Sequence, residues 1–209
     1  MSYLIGADLG GTRIRAALFD QNAVLLERVE QPTRASEGAS AVMARVAESI
    51  EQVLPDEPGG VVGIGFSSPG PLDPVTGRTF TTPNLPFSNL PIRDILEQAT
   101  GLRVAVGNDA DLAALAEYTL GAGKGTRTMV YMTISTGIGS GLIINGQLHT
   151  GRGQAGELGF ISIAPGDPIS GPDRKGYLEN IASGPALARV ARERIAAGDQ
   201  FAQGFAGLR

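Results

Sequence analysis

The chain has 209 residues, with 17 Lys and Arg against 21 Asp and Glu, and it contains no cysteine. The mildly acidic balance argues against nucleic acid as the main partner. The missing thiols exclude disulfides and thiolate metal sites. No apolar stretch approaches the roughly 18 residues of a membrane span, and the N-terminus lacks the basic start of a signal peptide. We therefore expect a cytoplasmic protein without membrane contact.

The first half of the chain alternates between segments typical of strands and of helices. Period-two and apolar runs predict the strands, and apolar residues at three-and-four spacing predict the helices. Pro55 ends the first helix, whereas Asn108 or Asp109 caps the last one, which stops at Gly121. The stretch from 71 to 91 is expected to be loop. The predicted elements are strands at 3–9, 14–20, 23–30, 61–66 and 104–106 and helices at 37–54, 92–99 and 109–120.

The second half repeats the order of the N-terminus: apolar strand, glycine turn, apolar strand, polar turn. Asn145-Gly146 is a strong hairpin signal within it. The repeat predicts two related lobes, an N-terminal lobe over 1–115 and the start of a larger, incomplete C-terminal lobe over 116–209. The elements predicted after the boundary are strands at 128–134, 141–144 and 159–164 and a helix over 177–197 broken at Gly184-Pro185.

Two glycine turns are the most informative motifs, Asp8-Leu9-Gly10-Gly11-Thr12 and the segment 136–141. Glycine lets backbone amides approach an anion closely, and successive amides form an anion-binding concavity. Asn108-Asp109 lies between them, after a strand and before a helix, where sites form at the carboxyl edge of a sheet. Two anion sites and one carboxylate suit phosphoryl transfer to a hydroxyl. The alternative interpretation is two plain turns and a helix cap.

Together these motifs resemble the ROK family (repressors, uncharacterised reading frames and sugar kinases) of the actin/hexokinase superfamily. The resemblance covers residues 3–190 and implies an α/β fold of the two-lobed ribonuclease H-like type, with mixed five-stranded sheets and flanking helices. The segments that carry it are 8–12, 65–71, 82–85, 107–110, 136–141, 156–159 and 178–184.

The resemblance implies an ATP-dependent hexose kinase of the glucokinase type, acting on the 6-hydroxyl of glucose or a related sugar. Asp109 would be the general base, and Mg²⁺ would bridge phosphate oxygens near Asp8 through water. The implied sugar-binding positions are Ser68, Gly70, Asn84, Asn108, Asp109, Glu157 and Glu179. The implied phosphate-binding positions are Gly10, Gly11, Thr12, Gly137, Ile138 and Gly139.

Three departures from the family pattern bear on these expectations. Phe160 stands where the family has a histidine that serves a structural zinc and the sugar, and the loop at 170–177 contains none of the usual cysteines. We therefore expect no structural zinc, and we expect one hydrogen bond to the sugar to be missing or to come from another residue. The chain is also shorter than a typical member, which puts much of the adenine pocket in doubt.

These departures keep a second interpretation open, a non-catalytic sugar-binding or regulatory protein. Within the kinase interpretation, fructose, mannose and N-acetylmannosamine remain possible acceptors and polyphosphate a possible donor. The resemblance further implies a homodimer through the second lobe. Asp111 is expected on the solvent side of its helix, and Glu157 and Glu179 have an ordinary surface role as their alternative.

Overall fold

The structure, a computed structural model, describes residues 2–56, 60–82, 85, 87–163 and 176–199. It divides into two compact units. The first comprises Met1–Leu112 with Thr150–Gln154, and the second comprises Ala113–His149 with Ala155–Arg209.

The first unit is built on a mixed five-stranded sheet with the order β3-β2-β1-β4-β7. The first three strands form an antiparallel meander, and β1, β4 and β7 run parallel to one another. The mixed five-stranded sheet expected from the sequence is therefore confirmed in this unit. Its strands are β1 (Tyr3–Leu9), β2 (Arg13–Asp20), β3 (Leu25–Pro32), β4 (Val61–Ser68) and β7 (Val104–Asn108).

Two helices, α1 (Ala39–Gln52) and α2 (Ile92–Thr100), complete this core. The buried residues of α1 recur at three-and-four spacing, and the buried residues of β1 alternate, because each element turns one apolar side inward. Both helices lie close to their predicted bounds. The predicted loop at 71–91 contains a small hairpin of β5 (Leu72–Asp73) and β6 (Arg78–Thr79). The buried residues of α1 and β1 are Val42, Met43, Val46, Ser49 and Ile50 and Ile5, Ala7 and Leu9.

Strand register brings the motif residues of this unit to one edge of the sheet. Asp8 of β1 stands beside Ser67 of β4, Ser67 stands beside Gly107 of β7, and Ser68 stands beside Asn108. Neighbouring strands lie about 4.8 Å apart. Three sequence-distant segments therefore end side by side at the carboxyl edge of the parallel strands.

The second unit contains an antiparallel sheet of three strands in its described part, in the order β10-β9-β8, where five were expected. Two helices follow, and Ser183 separates them one residue before the predicted break at Gly184. The α-helices and strands that the structure describes after β7 are α3 (Asp109–Thr119), β8 (Met129–Ile134), β9 (Ile138–Ile144), β10 (Gln147–Leu148), α4 (Leu178–Ala182) and α5 (Gly184–Ala196).

Two predictions in this unit were wrong in detail. Strand β9 begins at Ile138 and not at 141, because Ser135–Gly137 alone makes the bend, closed by the Ser135 amide on the Gly137 carbonyl at 2.9 Å. The predicted strand at 159–164 is replaced, up to residue 163, by a 3-10 turn at Leu158–Phe160 and a single bridge between Ser162 and Tyr177. Backbone hydrogen bonds between residues three apart form there in place of strand pairing. No helix in the described ranges combines the length and apolarity of a membrane span.

Candidate active site

The first glycine turn is held by hydrogen bonds on both sides, and two of its amides have no partner among the described residues. Its Gly10 amide donates to the Arg13 carbonyl at 2.8 Å. Thr33, fully buried, braces it from behind: the hydroxyl donates to the Gly10 carbonyl at 2.7 Å and the amide to the Thr12 carbonyl at 2.8 Å. Within the described ranges the amides of Gly11 and Thr12 make no hydrogen bond. Such a turn is suited to accept an anion on exposed amides.

Asp8 lies where β1 enters this turn, within a chain of alternating charges. Arg15, its cross-strand neighbour, donates to the Asp8 carboxylate at 3.2 Å and to Glu30 at 2.8 Å. Glu30 also accepts from Arg13 and Arg28. The bonds from Arg15 and then Arg13 lower the pKa of Glu30 to about 2. One arginine thus connects the turn carboxylate to a fixed anionic partner.

Asn108 and Asp109 lie at the start of α3 and divide two tasks between them. The Asn108 side-chain oxygen accepts from the amides of Ala110 at 2.9 Å and Asp111 at 3.2 Å, so Asn108 caps the helix. Asp109 accepts from the Ala110 amide at 2.8 Å and remains exposed. Partial desolvation raises the pKa of the Asp109 carboxyl, and the negative charge of Asp8 raises it further. A carboxyl with a raised pKa is a stronger base.

Asp111 is buried, which corrects the expectation that it faces solvent. The residue is 7% exposed, and its Oδ1 finds no hydrogen-bond partner among the described residues. Desolvation raises the pKa of Asp111 to about 6, with a further contribution from the charge of Asp109. The expectation failed because a first-turn position does not fix which side of a helix packs inward. Two carboxyls with raised pKa values therefore share one helix start.

The remaining sugar-binding candidates of the first unit differ in accessibility. Ser68 is fully buried and its hydroxyl donates to the Pro69 carbonyl at 3.3 Å. Gly70 is half-buried and joined to Pro71 by a cis peptide. Asn84 lies outside the described residues. Ser67, directly before Ser68 at the end of β4, lines a cavity of about 460 Å³ together with Asp8.

The second glycine turn is held by the segment that joins α4 and α5. The Ile138 amide donates to Glu179 Oε2 at 2.8 Å, and the Gly184 amide donates to the Ser135 carbonyl at 2.9 Å. A Cβ on Gly137 would lie 2.5 Å from the same Glu179 oxygen, so glycine is required for this approach. The Ile138 amide, a predicted phosphate donor, is thus bonded to Glu179, a predicted sugar-binding residue. The amides of Thr136 and Gly137 make no bond in the described part of the chain.

Glu157 directly precedes the 3-10 turn of the second unit, and Phe160 ends it. The Phe160 amide donates to the Glu157 carbonyl at 3.1 Å, and the Phe160 ring packs edge-on against Tyr177 with centroids 5.9 Å apart. Gly159 lies against β9, where a Cβ would come within 2.3 Å of the Ile138 carbonyl oxygen. The loop at 170–177 lies outside the described residues except for Gly176 and Tyr177.

The first turn offers ligands of the kind that Mg²⁺ takes. Mg²⁺ takes one or two carboxylates and keeps its other ligands as water and phosphate oxygens. Asp8 offers such a carboxylate, 40% exposed at its side chain, beside a turn with open amides. Within the described ranges no group of three or more His, Cys, Asp and Glu side chains could hold a metal by itself. The donor set therefore suits an ion brought in with a phosphate ligand.

Sequence reasoning missed the residues that support the motifs. Thr33 braces the first turn from a distance of more than 20 residues, and no local pattern signals that role. Arg15 could have been found, because the two-residue turn places it opposite Asp8 once the hairpin is assumed. Gly184 supports the second turn through its backbone amide, and glycine fits there because a Cβ would lie 2.9 Å from the Ser135 carbonyl oxygen.

Comparison with known proteins gives consistent matches over nearly the whole chain. The profile of the ROK family matches residues 4–203. The glucokinase of Thermotoga maritima is 39% identical over 192 residues. A ROK hexokinase from Thermus thermophilus is 41% identical with a TM-score of 0.78 over 96% of this chain. A ROK glucokinase from Streptomyces griseus in complex with glucose and AMPPNP is 32% identical, with a TM-score of 0.79 over 99% of the chain.

These matches cover only part of the matched proteins. The alignment spans 91% of this chain but 60% of the Thermotoga glucokinase. The structural match to the Thermus hexokinase covers 71% of that protein, and the match to the Streptomyces glucokinase covers 65% of that protein. These matches establish the family of this chain and the fold that it shares with the longer proteins. They do not establish that the chain has the activity of those proteins.

Proposed function

Because the chain belongs to the ROK family, we propose that it acts as an ATP-dependent hexose kinase that phosphorylates the 6-hydroxyl of glucose or a related sugar. The observation that carries the proposal is the placement of Asp109. It follows β7 directly, at the sheet edge that also holds Asp8, and the pKa of its carboxyl is raised. An accessible carboxylate with a raised pKa, close to a glycine turn with open amides, is suited to act as the general base in phosphoryl transfer.

In the proposed reaction the Asp109 carboxylate removes the proton from the sugar 6-hydroxyl. The oxygen then forms a bond to the γ-phosphorus of ATP while the bond between that phosphorus and the β,γ-bridging oxygen breaks. The products are the sugar 6-phosphate and ADP, and Asp109 holds the proton until water removes it. A positioned base contributes about 10²–10⁴-fold to such a step.

The chain's other residues contribute positioning and charge. The open amides of Gly11 and Thr12 in the first unit, and of Thr136 and Gly137 in the second, would bind phosphate oxygens. Asp8 would hold Mg²⁺, which when bound neutralises charge on the phosphates. Sugar hydroxyls would bond to Asn108, Glu157 and Glu179. Phosphoryl transfer depends mainly on positioning and electrostatic stabilisation, so these groups suffice without a covalent intermediate.

A coupled assay of ADP release tests the proposal. Mg·ATP is supplied with glucose, mannose, fructose and N-acetylmannosamine in turn, with polyphosphate as a second donor. The same panel is run on any longer product of the same gene. We expect turnover with at least one hexose. Sugar binding by calorimetry without turnover on any donor would overturn the proposal and favour the regulatory interpretation.

A further inference from the structure

The second glycine turn is hydrogen-bonded directly to the Glu179 carboxylate. Glu179 Oε2 accepts from the Ile138 amide at 2.8 Å, and a Cβ on Gly137 would lie 3.3 Å from the Glu179 carboxyl carbon. The carboxylate therefore lies along the backbone of the turn. Its second oxygen, Oε1, makes no hydrogen bond within the described ranges. One oxygen of the carboxylate is committed to the turn and the other is available to a ligand.

The same helical segment also holds the other side of the turn. The Gly184 amide at the start of α5 donates to the Ser135 carbonyl at 2.9 Å, and Ser183 ends α4 with its amide on the Glu179 carbonyl at 3.0 Å. Glu179 and Thr136 border one cavity of about 750 Å³. A ligand that orders Glu179 therefore orders the turn, because both ends of the turn are bonded to the short segment 179–184.

We propose that Glu179 couples sugar binding to nucleotide binding. A sugar bound to Oε1 fixes the carboxylate, the carboxylate fixes the Ile138 amide, and the fixed turn receives the phosphates at a lower cost in conformational entropy. This inference rests on the proposed function, since it takes Glu179 as a sugar ligand and the turn as a phosphate site. Glu179 thereby acts as a positioning residue for the nucleotide in addition to contacting the sugar.

The charge of Glu179 determines the sign of the coupling. A carboxylate beside a phosphate site repels the nucleotide, and this repulsion is strongest when no ligand donates to the carboxylate. Sugar hydroxyls that donate to Oε1 take up part of that negative charge. Both effects make the nucleotide bind more tightly when the sugar is present. By linkage, the nucleotide must tighten sugar binding by the same factor.

Calorimetry of Mg·AMPPNP binding, with and without a saturating hexose, tests this inference. In the wild type we expect the hexose to lower the Kd of AMPPNP at least about fivefold, the lower end of usual coupling between sites. In Glu179→Gln the AMPPNP should bind more tightly than in the wild type when no hexose is present, because the charge is gone. The hexose should then change its Kd less than about twofold.

Glu157→Gln is the matched control, because it alters a second proposed sugar carboxylate on a different segment. It should weaken hexose binding and keep the wild-type coupling factor. Equal coupling factors in the wild type and Glu179→Gln would overturn the inference, as would two ligands that bind the wild type independently. AMPPNP that fails to bind in either condition also counts against it.

Hydrogen exchange on the wild type alone provides a second measurement, which stands even if Glu179→Gln fails to fold. The hexose without nucleotide should slow exchange of the amides at 135–139. Unchanged exchange there, with the hexose bound, contradicts the coupling. Failure of this inference is distinguishable from failure of the proposed function, because an active kinase with independent ligands loses only the coupling, whereas absent turnover removes the kinase itself.

Discussion

Asp8 stands directly opposite Arg15 in the ladder between β1 and β2, and the Arg15 guanidinium donates to the Asp8 carboxylate at 3.2 Å. Arg15 is held in turn by Glu30 at 2.8 Å. The Asp8 charge raises the pKa of Asp109. Arg15 therefore places a positive charge beside the carboxylate that acts on the proposed base.

The first prediction concerns this charge relationship. Replacing Arg15 by Gln removes the positive charge beside Asp8, so that Asp8 should raise the pKa of Asp109 further. The base then loses its proton only at a higher pH, and the acidic limb of the kcat/KM profile should move upward. Arg28→Gln is the control, since Arg28 bonds to Glu30 at 3.0 Å and not to Asp8. If the acidic limb stays in place in Arg15→Gln, the pKa of Asp109 does not depend on the charge balance at Asp8.

The second prediction concerns the buried carboxyl of Asp111. Its pKa is raised to about 6 from an ordinary value of 3.8, so the folded state binds a proton more tightly than the unfolded state. The free energy of unfolding therefore falls as pH rises from about 4 to above 6. Asp111→Asn removes the cost of burying the charged carboxylate, but it also removes a favourable negative charge from the first turn of α3. At pH 7.5 we expect a net stabilisation of about 1–2 kcal/mol.

The pH dependence of unfolding checks the Asp111 prediction. Urea unfolding of the wild type and Asp111→Asn should differ most above pH 6, and the difference should shrink or reverse as pH falls through 3.8, because Asp111 then becomes protonated in both states. A variant less stable than the wild type at pH 7.5 would show that the carboxylate has a favourable partner.

The third prediction concerns the packing of Gly159 against β9. A methyl group there would lie 2.3 Å from the backbone oxygen of Ile138, which cannot move without disturbing the strand. We expect Gly159→Ala to destabilise the protein by about 1–3 kcal/mol, the usual cost of overpacking. Gly65→Ala is the control, because its methyl would meet nothing closer than 4.0 Å. Thermal unfolding compares the two variants, and equal midpoints would contradict the close approach.

The elements with strong periodicity could be predicted from the sequence. The periodicity predicts α1 over 37–54, where the helix spans Ala39–Gln52, and β8 over 128–134, where the strand spans Met129–Ile134. Apolar spacing carries that information because burial imposes it. The strand predicted at 159–164 is wrong for the described residues up to 163, since a short apolar run does not distinguish a strand from a 3-10 turn.

The candidate site was predictable in its motifs and not in its contacts. Asp8 and Asn108 reach one sheet edge through register, which the parallel order of the strands implies. The bond from the Ile138 amide to Glu179 joins residues 41 positions apart. The burial of Asp111 likewise depends on packing from elsewhere in the fold. Such contacts form only when distant segments meet, and a motif does not encode its partner.

The most direct test of the proposed reaction compares the wild type with Asp109→Asn. Asparagine keeps the size and one acceptor oxygen of aspartate but cannot take up the proton. With Mg·ATP and the hexose that the wild type uses best, kcat for ADP release should fall by about 10²–10⁴-fold, while hexose affinity and the thermal midpoint change little. Turnover within a few-fold of the wild type would contradict the assignment of Asp109 as the base, and with it the mechanism proposed for this chain.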